Sequence, residues 1–285
     1  DLGGGSLELA RVENNVVTNK TSLPIGVLRL INNPIVKKRN LPKYVKKLLR
    51  EEKWLSKKKF NNLYLVGGTW RSLFKLHLFQ NNHPVHIIHQ YSIDKSTLSK
   101  FVEKVSSFNK SKLKTVEYIS KSRTQFLPYS SIILDEIMSI TNPKKIICSI
   151  SGLREGSLSI DHFKNIKESE IFTKSIEYIA LKRGDLGSTY QKYFKFILPV
   201  FDGNEHYNKK LLHLACVLSH MDWGLGAFQK AELVFQETLN TPLLRLTHKE
   251  RIQLALSCYW RYCSIKYNPK FEYLTFLNNN EIFSS

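Results

Sequence analysis

Apolar and polar positions alternate along residues 7–12 and again along residues 16–21, with the polar run Glu13-Asn14-Asn15 between them, so the pattern predicts a β-hairpin. Over residues 42–55 the apolar positions recur at helical spacing with lysines between them, and Pro42 suits a first helical position. Residues 62–66 read as a buried strand that leads through Gly67-Gly68-Thr69 into a helix reaching Leu78. Helices over residues 97–108 and 127–140 follow, then a strand over 145–149. Strands interleaved with helices predict an α/β layer fold. Beyond about residue 158 the pattern becomes helical throughout, over 167–181, 188–198, 207–220, 227–239 and 249–265. The expected fold class is α/β plus all-α, with one domain over residues 1–160 and a helical one over 161–285.

Composition changes this picture little. A hydrophobic share of 42% supports a globular chain rather than a disordered one. No run of eighteen apolar residues is present, so no transmembrane helix is expected, and no signal peptide is visible. Cys148, Cys216, Cys258 and Cys263 form no CxxC pair and read as reduced, packed thiols of a cytoplasmic protein. The balance of 43 basic against 24 acidic residues, formally +19, favours polyanionic partners. Abundant Lys, Asn, Ile, Phe and Tyr also fit the amino-acid usage of an AT-rich genome.

Two glycine turns carry the chemistry. In DLGGGS, residues 1–6, main-chain N–H groups without side chains to shield them form a nest that suits phosphate oxygens, and Ser6 adds a hydroxyl. Asp1 is a ligand type for Mg²⁺, which commonly bridges to phosphate. A purely structural hairpin turn fits the same six residues. The second turn, Val66-Gly67-Gly68-Thr69, closes a strand and opens a helix, whose N-terminus welcomes anions. It is not a P-loop, because Gly-Lys-Ser/Thr is absent at the required spacing.

In order along the chain, DLGGGSLEL (1–9), SLPIGVLRL (22–30), YLVGGTWRSL (64–73), SRTQFLPYSSIIL (122–134) and SGLREGSL (151–158) resemble the exopolyphosphatase/guanosine-pentaphosphatase (Ppx/GppA) family. That resemblance implies an actin-like, ribonuclease H-like half-module for the first domain. The remainder resembles the HD-like helical domain of the alphaproteobacterial branch, in LLHLACVLSHMDW (211–223) and LALSCYWRYCS (254–264). The implied activity is Mg²⁺-dependent removal of the terminal phosphate of inorganic polyphosphate by water. The alternatives are hydrolysis of guanosine pentaphosphate (pppGpp) and a polyanion-binding or regulatory module without catalysis.

Carried over residue by residue, the resemblance gives Asp1 the positioning of Mg²⁺ and Gly3, Gly4, Gly5 and Ser6 the phosphate cradle. Glu8 supports the metal and the attacking water. Gly67, Gly68 and Thr69 form the turn that faces the nucleoside in relatives using nucleotides, and Arg154 and Glu155 pack a loop at the domain boundary. Arg29 is a candidate for touching the anion. In the family the general-base glutamate and the first phosphate loop lie upstream of DLGGGS. The 285 residues are therefore expected to lack the catalytic N-terminal half and to hydrolyse little by themselves. A homodimer is one assembly left open.

Other candidate sites read as structural. In HPVHIIHQY (83–91) strand alternation would send His86 to one face and His83 and His89 to the other, away from a common metal. His220 and Asp222 are not the adjacent pair of true HD phosphohydrolases, and Trp260 stands where relatives often carry His, so His213 and His220 are expected to satisfy hydrogen bonds on helix faces. The basic run over residues 43–59 reads as a solvated helix face that could also guide polyphosphate. No aromatic-basic module for nucleic acid is evident.

Overall fold

Side chains of β1 (Leu7–Glu13) alternate between a buried or half-buried face, Leu7, Leu9 and Arg11, and a solvent face, Glu8, Ala10 and Val12. In this computed structural model β1 pairs antiparallel with β2 (Val16–Leu23), with a one-residue slip between Arg11 and Val12. Asn14 and Asn15 join them at φ 51° and 64°, the left-handed pair that a two-residue hairpin turn requires. The structure describes all residues except 34–37, 58–59, 164–167, 183, 185–188, 202–207, 219–225, 242–245, 264–269 and 284–285.

A short helix α1 (Val27–Ile31) follows, then α2 (Leu41–Glu51), which buries Leu41, Val45 and Leu49 at i, i+4 and i+8. The helix expected over 42–55 stops at Glu51 and gives way to a 3₁₀ turn, Lys53–Leu55. Glu52 is drawn off the helix path, its carboxylate accepting from Thr21 Oγ1 at 2.7 Å and Trp54 Nε1 at 2.8 Å.

A second sheet comes from β3 (Asn62–Leu65), β4 (Tyr91–Asp94) and β5 (Lys145–Cys148). Its order is β3-β5-β4, with β3 parallel and β4 antiparallel to β5. Between the strands run α3 (Gly68–Gln80), α4 (Lys95–Ser106), α5 (Lys110–Lys114), α6 (Lys121–Thr124) and α7 (Leu127–Thr141). The last of these is central, with Ile133, Leu134, Ile137 and Met138 buried and α2, α3 and α4 packed on it. It ends at Asn142 in the left-handed conformation, a helix C-terminus signature.

The strand read over residues 83–91 is corrected by this sheet. Only Tyr91 belongs to β4, and residues 83–90 form no strand, so strand alternation does not place the histidines. His83 turns back to accept the Val85 N–H at 3.1 Å, His86 lies exposed against Phe79, and His89 is buried. Behind them His77 Nδ1 and the Tyr91 hydroxyl share a 2.9 Å hydrogen bond in the core. Burial first, and His83 second, push His77 down to about 4, while burial pushes Tyr91 up to about 12.

The chain divides into two compact units, Asp1–Gly156 and Ser157–Ser285, and α8 (Leu153–Phe163) runs through the division. Each unit has its own apolar core. Among its described residues the second unit is helical: α9 (Glu168–Lys182), α10 (Thr189–Ile197), α11 (Lys209–Leu218), α12 (Ala227–Asn240), α13 (His248–Trp260), α14 (Phe271–Leu274) and α15 (Asn279–Phe283). Thr247 and Glu250 cap α13 reciprocally. Within α13, Arg251 is buried and its Nη1 donates to the Leu239 and Thr241 carbonyls at the end of α12. No helix among the described residues is long and apolar enough to cross a membrane.

Candidate functional site

The first glycine turn is built by main-chain bonds. Gly3 N–H closes it on the Ser6 carbonyl at 3.0 Å, and Asp1 and Glu8 exchange main-chain bonds of 2.8 and 2.9 Å across its base. Its carbonyls face α1: Gly3 accepts from Val27, and Gly4 accepts from Leu28 and Arg29, at 3.0 to 3.1 Å. Those bonds need close approach, and a Cβ on Gly26 would strike the Gly4 and Gly5 main chain. With the carbonyls drawn to α1, the N–H groups of Gly4 and Gly5 donate to nothing among the described residues. That is the nest expected from the sequence pattern.

The second turn meets the first. Gly67 sits at φ 104°, a conformation that side chains rarely adopt, and a Cβ there would collide with the Asp1 carboxylate. The helix it opens, α3, has no side-chain cap, so its first-turn N–H groups remain available to an anion. Arg71, one turn into α3, donates from Nε to the Gly67 carbonyl at 3.2 Å. The Arg123 guanidinium lies across Gly68, where a Cβ would stand 3.0 Å from a terminal nitrogen. At the start of α8 Glu155 accepts the Gly152 N–H at 2.7 Å. That bond first, then its own N–H, hold its carboxyl below the ordinary range, with Arg154 and Arg71 adding to the effect.

These turns border one cleft of about 580 Å³ within the first unit. Of the residues expected from the sequence, Asp1, Gly3, Gly4, Gly67, Gly68 and Thr69 line it. Gly5, Ser6, Glu8 and Arg29 do not. The Ser6 hydroxyl donates to the Glu8 carboxylate, Ser22 Oγ does so at 3.1 Å, and Arg29 Nε donates to the Gly5 carbonyl at 3.0 Å. These contacts shape the turn from behind. Arg154 and Glu155 also line the cleft rather than only packing a loop. Two further lining residues, Arg71 and Arg123, were missed in the sequence. Both stand in the quoted segments, but nothing in spacing shows that they converge. Three arginines against two carboxylates leave the lining cationic.

Asp1 makes no side-chain hydrogen bond or ion pair among the described residues, and it stands beside the nest. One free carboxylate next to a phosphate cradle fits Mg²⁺, which keeps most of its waters and shares the phosphate oxygens. No group of three or more His, Cys, Asp or Glu side chains among the described residues is placed to hold a metal by itself. Cys148, behind the cleft in β5, is pushed up to about 12 by burial and stays a thiol at neutral pH. In the second unit His213 packs against the Tyr190 and Phe194 rings and is lowered by burial and then by Lys209. His220 and Asp222 lie outside the described residues.

Comparison with known proteins gives the same assignment as the motif order. The chain is similar in fold to a crystal structure of an exopolyphosphatase from Cytophaga hutchinsonii, with 18% identity and a TM-score of 0.51 over 56% of this chain and 55% of that one. It also matches the Aquifex aeolicus member of the Ppx/GppA family, with 21% identity and a TM-score of 0.48 over 59% and 56%. The chain thus spans about half the length of the solved structures it matches. No curated protein sequence matches it. The sequence profile of the Ppx/GppA phosphatase family covers residues 1–162, more than half of the chain. The chain belongs to the Ppx/GppA phosphatase family.

Proposed function

We propose that the cleft binds the terminal phosphates of inorganic polyphosphate for a Mg²⁺-dependent exopolyphosphatase reaction, and that this chain supplies the phosphate-holding wall. The observation that carries the reading is the meeting of two glycine turns and a carboxylate in one arginine-lined cleft. In the reaction water attacks the terminal phosphorus and the bridging P–O bond breaks. The products are orthophosphate and a chain one phosphate shorter.

Phosphoryl transfer depends on positioning and on spreading charge over the transferred oxygens. The Gly4 amide and the first turn of α3 donate to those oxygens, and Arg71, Arg123 and Arg154 face the rest of the polyanion. Asp1 would hold Mg²⁺ directly or through water, and the ion would neutralise phosphate charge. Glu8 acts through the turn by fixing Ser6, and Arg29 by fixing the Gly5 carbonyl, so both are positioning residues. Of the two lining carboxylates, Asp1 is assigned to the metal, and Glu155 is committed to the Gly152 N–H. Neither is assigned as general base, so the 285 residues are expected to bind polyphosphate while releasing little phosphate.

The test is calorimetric titration of long-chain polyphosphate, with and without Mg²⁺, alongside a phosphate-release assay. Binding that Mg²⁺ tightens, and that Asp1→Asn makes indifferent to Mg²⁺, is the expected result. Robust turnover abolished by Glu8→Gln would overturn the division of roles. Displacement of polyphosphate by lower concentrations of pppGpp would favour the nucleotide substrate instead.

A further inference from the structure

The chain bends between α5 and α6 at a residue ill suited to the bend. Tyr118 sits at φ 66°, in the left-handed region that glycine adopts freely and a bulky side chain does not. Burial does not explain the conformation, since Tyr118 is 59% exposed. What the ring has is a partner. It lies flat on Phe79, with centroids 3.9 Å apart and planes 9° from parallel. Phe79 is contacted in turn by the His86 ring, tilted against it at 5.2 Å, and by the Lys75 ammonium, 5.9 Å from its centre.

The stack pins one end of a short segment whose other end is in the cleft. Phe79 lies in the last turn of α3, and Gly68 opens that helix about 16 Å away along its axis. Arg123, which follows Tyr118 closely in sequence, lays its guanidinium across Gly68. Residues 118–123 therefore run back along α3 from its last turn to its first, and α6 packs on α3 on the way. The Ser120 carbonyl accepts the Arg123 and Thr124 N–H groups at 2.8 and 3.2 Å. Those bonds tie the turn that carries Arg123 to the residues beside Tyr118.

Given the cleft's reading as a polyphosphate site, on which this rests, we propose that Tyr118 is a positioning residue for Arg123. Its ring latches residues 118–123 to the far end of α3, and the latch holds the guanidinium over the near end. A long, exposed side chain loses rotamer freedom when it grips an anion. A main chain already held in place leaves less to lose, so the arginine is preorganised. Its donors then add charge-assisted bonds to the main-chain N–H groups of the same turn. Glycine at 118 would make the bend without strain but would lose the ring. The strained residue thus marks a contact that matters beyond the bend itself.

The test measures calorimetric binding of long-chain polyphosphate with Mg²⁺, and the melting temperature, for the unaltered 285-residue chain and four variants. These are Tyr118→Gly, Tyr118→Phe, Arg123→Ala and the double variant Tyr118→Gly/Arg123→Ala. Tyr118→Gly is expected to weaken binding about three- to fivefold and to flatten its salt dependence, as Arg123→Ala does. Its melting temperature should stay within about 3 °C, because relief of the strained φ offsets the lost ring contact. Tyr118→Phe keeps the stack and should bind as the unaltered chain does. The double variant should lose no more affinity than Arg123→Ala alone, the sign that Tyr118 acts through that arginine. Additive losses, unchanged binding in Tyr118→Gly, or a melting temperature that falls in step with affinity overturns the proposal and leaves the cleft reading standing. Failure of the unaltered chain to bind polyphosphate overturns both.

Discussion

Arginine serves opposite ends in the two units. In the helical unit Arg251 is 1% exposed, and its Nη1 is committed to the Leu239 and Thr241 carbonyls at 3.0 and 2.7 Å. Burial pushes its guanidinium down to about 10. In the α/β unit Arg71, Arg123 and Arg154 border an open cleft, and Arg71 gives its Nε–H to Gly67 while its terminal nitrogens stay uncommitted to that bond. Donors consumed by the fold contribute stability. Donors left over are available to a ligand.

Removing the consumed donors should have the largest effect. Arg251→Met leaves two buried carbonyls without that partner and is expected to cost about 2–4 kcal/mol. Thermal unfolding reads the loss, and polyphosphate affinity measured well below the transition should not move. An unchanged melting temperature would erase the contrast. Gly67→Ala tests where the two glycine turns meet. The strained φ and the collision with Asp1 are expected to cost about 1–3 kcal/mol and to weaken Mg²⁺-dependent anion binding more than Mg²⁺-independent binding.

The same division holds for histidine, since His77 is sealed in the core while His86 is exposed. An unfolded imidazole takes up a proton below its ordinary value of 6.5, but His77 in the fold does so only near 4. Stability should therefore fall as pH drops from 6.5 towards 4 and level off below that. Allowing for solvent screening, the loss is about 1–2 kcal/mol. Denaturation midpoints across this range measure it, and His77→Gln should flatten the slope. The smallest effect is expected from the exposed side. Arg123→Ala should lower polyphosphate affinity about five- to tenfold, roughly 1 kcal/mol, with no change in melting temperature. Its residual binding should depend less steeply on salt.

Much of the architecture was legible because local chemistry decided it. The Asn14-Asn15 turn, the alternation of β1 and the buried stripe of α2 each need only neighbours in sequence. The glycine turns were legible for the same reason. The arginines were not, since Arg123 reaches Gly68 across more than fifty residues and no periodicity encodes that meeting. For the histidine run only the strand premise fails, and for a physical reason. Burial and a His83 ring nitrogen accepting its own loop's N–H replaced the ladder bonds a strand would have made. Glu8 and Arg29 show the converse. Their residue types suited the chemistry, but the fold turned both to hold the turn's own groups.

The contact between Gly67 and Asp1 links two positions that cannot drift separately. Any side chain at 67 displaces the carboxylate, and no natural acid is shorter than aspartate to make room for it. A lineage that lost that glycine would have to move the acid as well, and with it the cation it is proposed to hold.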